Sequence, residues 1–254
     1  MLQTIKEGVS ACSQTIDIAS SPAAAIGATL AITSAGNDVL KGFVTVDGAV
    51  IKKGELHIKF PHYPRTQVLK ATLNPAHPFP LRQIQTARNC LILALDAAET
   101  FPINNYDSIS LKQLLDRVAE FVKKARDTLT HVDTAQAFPL YEVDAKHFSP
   151  ELPEDLVVEF FVSGSCLVTC VYSLSFQVGL PAIPMNQFQM SLIQNKLMGR
   201  SREFVKIDSY KGRKVELIDE VTVESKSPKL EKIFNAITKI EVLCQGLRTK
   251  LEAL

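Results

Sequence analysis

Several features that would assign a function are missing from this chain. No stretch of about 18 uncharged apolar residues occurs, so no helix that crosses a membrane is expected. Neither sign of charge dominates. The 28 basic and 27 acidic residues leave a net charge of +1, which argues against nucleic acid or an acidic substrate as partner of the whole surface. There are five cysteines, an odd number, and all but Cys166 and Cys170 lie far apart, as suits free thiols of a reducing compartment and not a disulfide framework. The N-terminus carries Lys6 and Glu7 inside its apolar pattern and lacks the layout of a signal peptide, so a cytosolic protein is the expectation.

Signatures of chemistry are missing too. Gly27, Gly36, Gly42, Gly48 and Gly54 lie singly, so no loop cradles a phosphate. Ser163-Gly164-Ser165 lacks the second glycine of a nucleophile elbow. Cys166 and Cys170 are four apart on an expected strand, which separates them by roughly 13 Å, too far to share a zinc ion. His57, His62, His77, His131 and His147 are scattered over strand and loop segments and make no finger-spaced pair with a cysteine. Catalytic, metal and cofactor residues are therefore all read as none. The enzymatic alternative is a thiol-dependent activity at Cys90, Cys166 or Cys170.

What the chain does have is regular patterning. At 46% hydrophobic and 22% charged residues over 254 positions it can bury a sizeable core, as one large domain or two small ones. The most regular stretch is the last. Leu230, Ile233, Ile237, Ile240, Cys244, Leu247, Leu251 and Leu254 alternate steps of three and four, a heptad register in a helix of roughly 38 Å. Ser227 stands at the N-cap and Pro228 at the first helical position. Such a seam serves either a zipper dimer or packing within the chain. Its flanking positions are Phe234, Ala236, Glu241, Leu243, Arg248 and Lys250. Half of these are apolar, a wider stripe than a two-stranded coil uses, which predicts intramolecular packing and a monomer.

Leu2, Ile5, Val9, Cys12, Ile16 and Ala19 repeat the step at the other terminus, ahead of Pro22. Residues 81–99 repeat it through Ile84, Ala87, Leu91, Ala94 and Ala98. A third helix, with Ser108 as its cap, repeats it through Leu111, Leu114, Val118, Phe121, Ala125 and Thr128. A short link makes these last two an antiparallel hairpin. Between the helices lie β-branched segments parted by Gly36-Asn37, Asp47-Gly48 and Pro61-His62-Tyr63-Pro64. They predict a meander of four or five strands over 28–72, with Leu56, Ile58 and Phe60 on one face and Glu55, His57 and Lys59 on the other. Residues 156–162 and 166–176 predict a hairpin, and 204–207 and 215–223 further strands. Residues 179–202 read as a loop with a short helix near 190–198.

No β-α-β alternation occurs, so the fold class is α+β. An antiparallel helical bundle is expected from 1–22 with 80–130 and 227–254, and a separate antiparallel β domain from 23–79 with 150–226. One local charge feature remains. Lys196, Arg200, Arg202, Lys206, Lys211, Arg213 and Lys214 fall close together against Glu203 and Asp208. They read either as a solvated loop and turn or as a docking surface for an acidic partner or an anionic membrane. Glu151, Glu154 and Asp155 around Pro153 read as a solvated turn.

Several segments in order resemble the Rogdi family: the run from Val39 to Gly48, Leu81-Arg-Gln-Ile-Gln-Thr-Ala-Arg-Asn89, Lys123 to Leu129, and Phe148-Ser-Pro-Glu-Leu-Pro-Glu-Asp-Leu156. The firmest are Gln-Ile-Gln-x-Ala-Arg-Asn and Pro-x-Leu-Pro-x-Asp-Leu. The tryptophans of animal members are absent here. The resemblance implies a bundle plus a β domain, and a non-enzymatic subunit of a RAVE-like complex. Such a complex helps the peripheral and membrane sectors of the vacuolar proton ATPase rejoin. The partners implied are a WD-repeat scaffold of the DmX-like type, a Skp-type adaptor in fungi, and peripheral-sector subunits of the ATPase. The location implied is the cytoplasm, with transient recruitment to vacuolar or endosomal membranes. A self-associating coiled-coil scaffold is the rival.

Overall fold

The computed structural model describes residues 3, 6–11, 27–36, 38–63, 68–102, 107–181 and 206–252. Strands β1 (Ala28–Thr33), β2 (Leu40–Asp47), β3 (Val50–Ile58) and β4 (Leu69–Thr72) form an antiparallel meander, and β5 (Phe79–Pro80) adds to the start of β3. Strand β3 runs unbroken from Val50 to Ile58 and is bulged against β2 between Thr45 and Val46. Leu56, Ile58 and Phe60 are buried while Glu55, His57 and Lys59 point outward, as the period of two requires.

Helices α1 (Arg82–Glu99) and α2 (Ser108–Thr130) follow. Cap and stripe both differ from expectation in α2. Asp107, not Ser108, is the N-cap, its carboxylate accepting from Ser110 N–H at 2.9 Å. The fully buried stripe is Leu114, Leu115, Val118, Val122, Ala125 and Leu129, with Phe121 and Thr128 half-buried at its margin. The helix is therefore rolled by about one position, because it packs on α1 and on the last helix together.

The second sheet has the order β6-β7-β9-β8, from β6 (Leu156–Ser163), β7 (Cys166–Pro181), β8 (Lys206–Tyr210) and β9 (Arg213–Lys226). Gly164 at φ 59° supplies the positive φ at the first central position of the β6–β7 turn. Both turn residues of the β8–β9 hairpin, Lys211 and Gly212, also have positive φ (50° and 68°), the geometry of a type I′ turn. The expected helix near 190–198 lies outside the described residues.

Helix α3 (Pro228–Glu252) begins where the sequence predicts, with Ser227 Oγ accepting from Leu230 N–H at 3.4 Å. Its heptad seam is covered by its own chain. Leu230, Ile233, Ile237, Ile240, Cys244 and Leu247 are all buried, and Leu251 packs against them. Each such side chain contributes about 2 kcal/mol by leaving water. The flanking Phe234, Ala236 and Leu243 pack on the same cluster. Glu241 is 7% exposed and pairs with Arg126 of α2 at 2.6 Å, while Arg248 lies 3.3 Å from Asp116. Those pairings run α3 antiparallel to α2. On another side, Gly8 of the N-terminal helical turn brings its backbone against Ile240.

One apolar cluster takes residues from all of these parts: Val9, the inner faces of both sheets, α1, α2 and α3. A smaller cluster covers the opposite face of the second sheet, where Phe138 of the 131–148 connection stacks on Tyr172 at 4.4 Å. Inside the large cluster Thr169 is 0% exposed and its hydroxyl has no hydrogen-bond partner among the described residues. A buried hydroxyl without a partner is a net loss, and valine has the same shape. Thr169→Val is expected to leave the fold intact and to be neutral or stabilising by about 1 kcal/mol in urea unfolding. A clear loss of stability would mean that the hydroxyl has a partner after all.

Candidate functional site

The two segments that stood out most in the sequence, residues 83–89 and 150–156, reach opposite ends of β6, the first through Gln83 at Val162 and the second by leading into Leu156. In the first, Ile84 and Ala87 face the core and Gln85 bonds Asn89 one turn on (3.0 Å). Gln83 does something no helical pattern predicts. Its Oε1 accepts from Val162 N–H (2.7 Å) and its Nε2 donates to Val162 C=O (2.9 Å), so the side-chain amide pairs with β6 as a neighbouring strand would. The same Nε2 donates to Thr128 C=O (2.8 Å) and, more weakly, to His131 C=O (3.3 Å), carbonyls at the C-terminal end of α2. Leu129 C=O in that last turn accepts from Gly164 N–H (2.8 Å). One carboxamide thus ties the start of α1, the end of α2 and the edge of the second sheet.

In the second segment Glu151 and Glu154 are exposed, as the expected solvated turn requires, and the residues around them also latch neighbouring elements together. Ser149 N–H donates to Thr72 C=O of β4 (2.9 Å), and Pro153 C=O accepts from Leu156 N–H. Asp155 accepts from Tyr63 O–H (2.9 Å), a residue 8% exposed in the segment after β3, and its carbonyl accepts from Leu174 N–H. Next to it, His62 N–H and Nδ1 both meet the Asp219 carboxylate of β9 (3.2 and 2.9 Å). Glu154 pairs with Arg213 at 2.6 Å, and that hydrogen bond, with the Arg213 charge, holds its carboxyl below the usual range. A further buried polar centre, Glu159 on β6, accepts from Phe138 N–H (2.8 Å) and Tyr172 O–H (2.7 Å) and fixes the 131–148 connection. The sequence offers no sign of Glu159, which sits inside an apolar run.

The basic segment is brought together only in part. Lys196, Arg200 and Arg202 lie outside the described residues, and so does the side chain of Lys206, whose backbone opens β8. Lys211, Arg213 and Lys214 do share the β8–β9 hairpin. Arg213 is consumed there, stacked 3.9 Å over the Phe176 ring and paired with Glu154, while Lys211 Nζ lies 5.5 Å from the Tyr210 ring.

Cys90, Cys170 and Cys244 are buried, and Cys166 is half-buried. Burial raises the Cys90 thiol above its ordinary pKa, and burial with the neighbouring Glu241 pushes Cys244 up to about 11, so neither is a thiolate near neutrality. Cys170 lies 3.3 Å from Thr222 Oγ1. Among the described residues no three His, Cys, Asp or Glu side chains are grouped to hold a metal ion, and no helix is long and apolar enough to cross a membrane.

Fold and junction define a mixed α+β protein whose polar groups are organised to join its parts. Over residues 1–252 the chain matches the family described as Rogdi leucine zipper containing protein, and it belongs to that family. It is similar to the protein rogdi homolog of Pongo abelii, 29% identical over 149 residues (56% of this chain, 50% of that protein). The protein rogdi homolog of Homo sapiens is 28% identical over 151 residues, covering 56% and 50%. Protein rogdi of Drosophila melanogaster is 24% identical over 169 residues, covering 63% and 61%. The chain thus spans about half the length of the vertebrate relatives it matches.

Gln83 is testable at this junction. Gln83→Ala strips partners from a buried strand edge and is expected to cost about 2–3 kcal/mol. Gln83→Glu keeps the shape but sets a carboxylate against carbonyl oxygens, and should cost at least as much in urea unfolding at neutral pH. Tolerance of both variants would refute the pin.

Proposed function

We propose that this chain is a non-enzymatic subunit of a RAVE-like cytosolic assembly complex that promotes rejoining of the peripheral and membrane sectors of the vacuolar proton ATPase. Membership of the Rogdi family over residues 1–252 carries this reading. In it the helices act as an antiparallel bundle and the sheets present binding surface. A WD-repeat scaffold of the DmX-like type and peripheral-sector subunits are the partners, with a Skp-type adaptor in fungi. Location is cytoplasmic, with recruitment to vacuolar or endosomal membranes through the ATPase.

The physical support is indirect. The polar groups at the junction are engaged in joining elements, and the Cys90 and Cys244 thiols are held in their unreactive form. A protein with this distribution acts by surface complementarity, and its isolated form is a monomer because the α3 seam is already covered.

Affinity purification from the source cytosol, with this chain as bait, is expected to recover a WD-repeat scaffold together with peripheral ATPase subunits. Recovery of neither would sink the proposal. Sedimentation of the pure chain should give a mass independent of concentration. A concentration-dependent dimer that Ile237→Asp dissolves without unfolding the chain would favour the coiled-coil scaffold instead.

A further inference from the structure

The back of α3 carries its cations in a line. Lys232, Lys239 and Lys250 are exposed, and their steps of 7 and 11 residues set them within about 20° of one another round the helix axis. They span roughly 27 Å along it. Lys232 and Lys250 each stand nine positions from Glu241, half-way round the helix. Glu241 meets Arg126 of α2, so the line points directly away from α2. Asn235, Val242, Gly246 and Thr249, which lie between the lysines, are exposed as well. A Cβ added at Gly246 would meet nothing within 4 Å, so among the described residues this side of the helix is open.

The line has no counter-charge of its own. None of the three lysines pairs with a carboxylate among the described residues, and neither does exposed Lys229 one turn earlier. The neighbouring acids are turned aside or engaged. Glu231 is one position from Lys232, and so about 100° round the axis. Glu7, in the N-terminal turn that meets α3 through Gly8, accepts from the Gln3 amide at 3.0 Å. Asp116 of α2 lies 3.3 Å from Arg248.

We infer that α3 lies lengthwise on an anionic membrane surface, with Lys232, Lys239 and Lys250 among the headgroups of acidic phospholipids. The make-up of the strip favours lipid over protein. The core of a protein interface is apolar and poor in lysine, whereas this strip offers Val242 as its one large apolar side chain. A lysine ammonium is a point charge on a flexible stem and can follow a fluid layer of phosphates. A carboxylate held in fixed geometry is better met by the planar fork of arginine. A straight row also suits a plane, and no aromatic ring lies in it on which a base would stack. Each lysine at such a surface favours binding about fivefold, so three give on the order of a hundredfold. Contact of that strength orients a protein that other contacts hold in place. The inference does not rest on the assembly reading, because lipid vesicles without any ATPase test it.

The test is flotation of the full chain with vesicles of phosphatidylcholine, alone or with about 30% phosphatidylserine, in about 0.02 M salt. The chain is expected to float with the anionic vesicles and not with the neutral ones. Raising the salt to about 0.15 M shortens the screening length to about 8 Å and should weaken binding. Lys232→Glu, Lys239→Glu and Lys250→Glu combined should lower binding about a hundredfold, and the same three changed to Gln somewhat less. Changing the three to Arg should keep it, since only the charge is read. Reversing Lys53, Lys59 and Lys146, which are exposed elsewhere, alters the net charge equally and should leave binding unchanged. Circular dichroism checks that each variant is folded, and the Gln variant replaces the Glu variant if the latter is not. No preference for anionic vesicles would overturn the inference, as would full binding by the Glu or Gln variant. Equal loss in the control variant would also sink it, by reducing the effect to net charge. Tighter, lysine-dependent retention on immobilised polyglutamate than on the vesicles would assign the strip to an acidic protein instead.

Discussion

Gln83 holds the architecture at its weakest place. A sheet edge, a helix beginning and a helix end each leave backbone groups without partners, and burying any of them unpaired costs about 1–3 kcal/mol. Here the three ends converge, and one primary amide, with an acceptor oxygen and two donor hydrogens, serves them all. No shorter or charged side chain has that combination of reach and valence. The position of α1 on β6 follows from it.

Around that pin the parts of the chain are interdependent. The segment after β3 reaches the second sheet through Tyr63–Asp155 and His62–Asp219, and Ser225 of β9 donates to Ala31 C=O of β1 at 2.7 Å. Helix α3 is enclosed by α2 and the N-terminal helical turn, with Glu241 and Arg126 locking its long axis. A buried carboxylate of this kind is tolerable only while its arginine is present, so the pair fixes the register of α3 more than it adds stability. The heptad seam that could join two chains is used inside one, and the surface left for other proteins is made of sheet edges, turns and outer helix faces.

Much of the framework was legible in the sequence because it depends on local periodicity. Alternation placed Leu56, Ile58 and Phe60 inward, Ser227 and Pro228 marked the start of α3, and apolar flanking positions pointed to a stripe wider than a zipper. The cap of α2 was misplaced by one residue because Ser108 and Asp107 are both capping types, and only the backbone shows which accepts from Ser110. The stripe of α2 was rolled because periodicity reports one preferred face, whereas this helix packs on two neighbours.

The polar sites lay beyond reach for a different reason. Gln83 and Val162 are 79 positions apart, as Tyr63 and Asp155 are 92 and His62 and Asp219 are 157, so no local pattern links them. Glu159 looks like a charge stranded in an apolar strand until Tyr172 and Phe138 are seen to meet it. The sequence by itself determined which segments are helices and strands, which of their faces are apolar, and that the strands are antiparallel. These follow from side-chain spacing and turn chemistry. Tertiary structure alone decided what covers the closing heptads, which basic residues are neutralised, and what the Gln83 amide joins. Those depend on partners that chain folding brings together from distant positions.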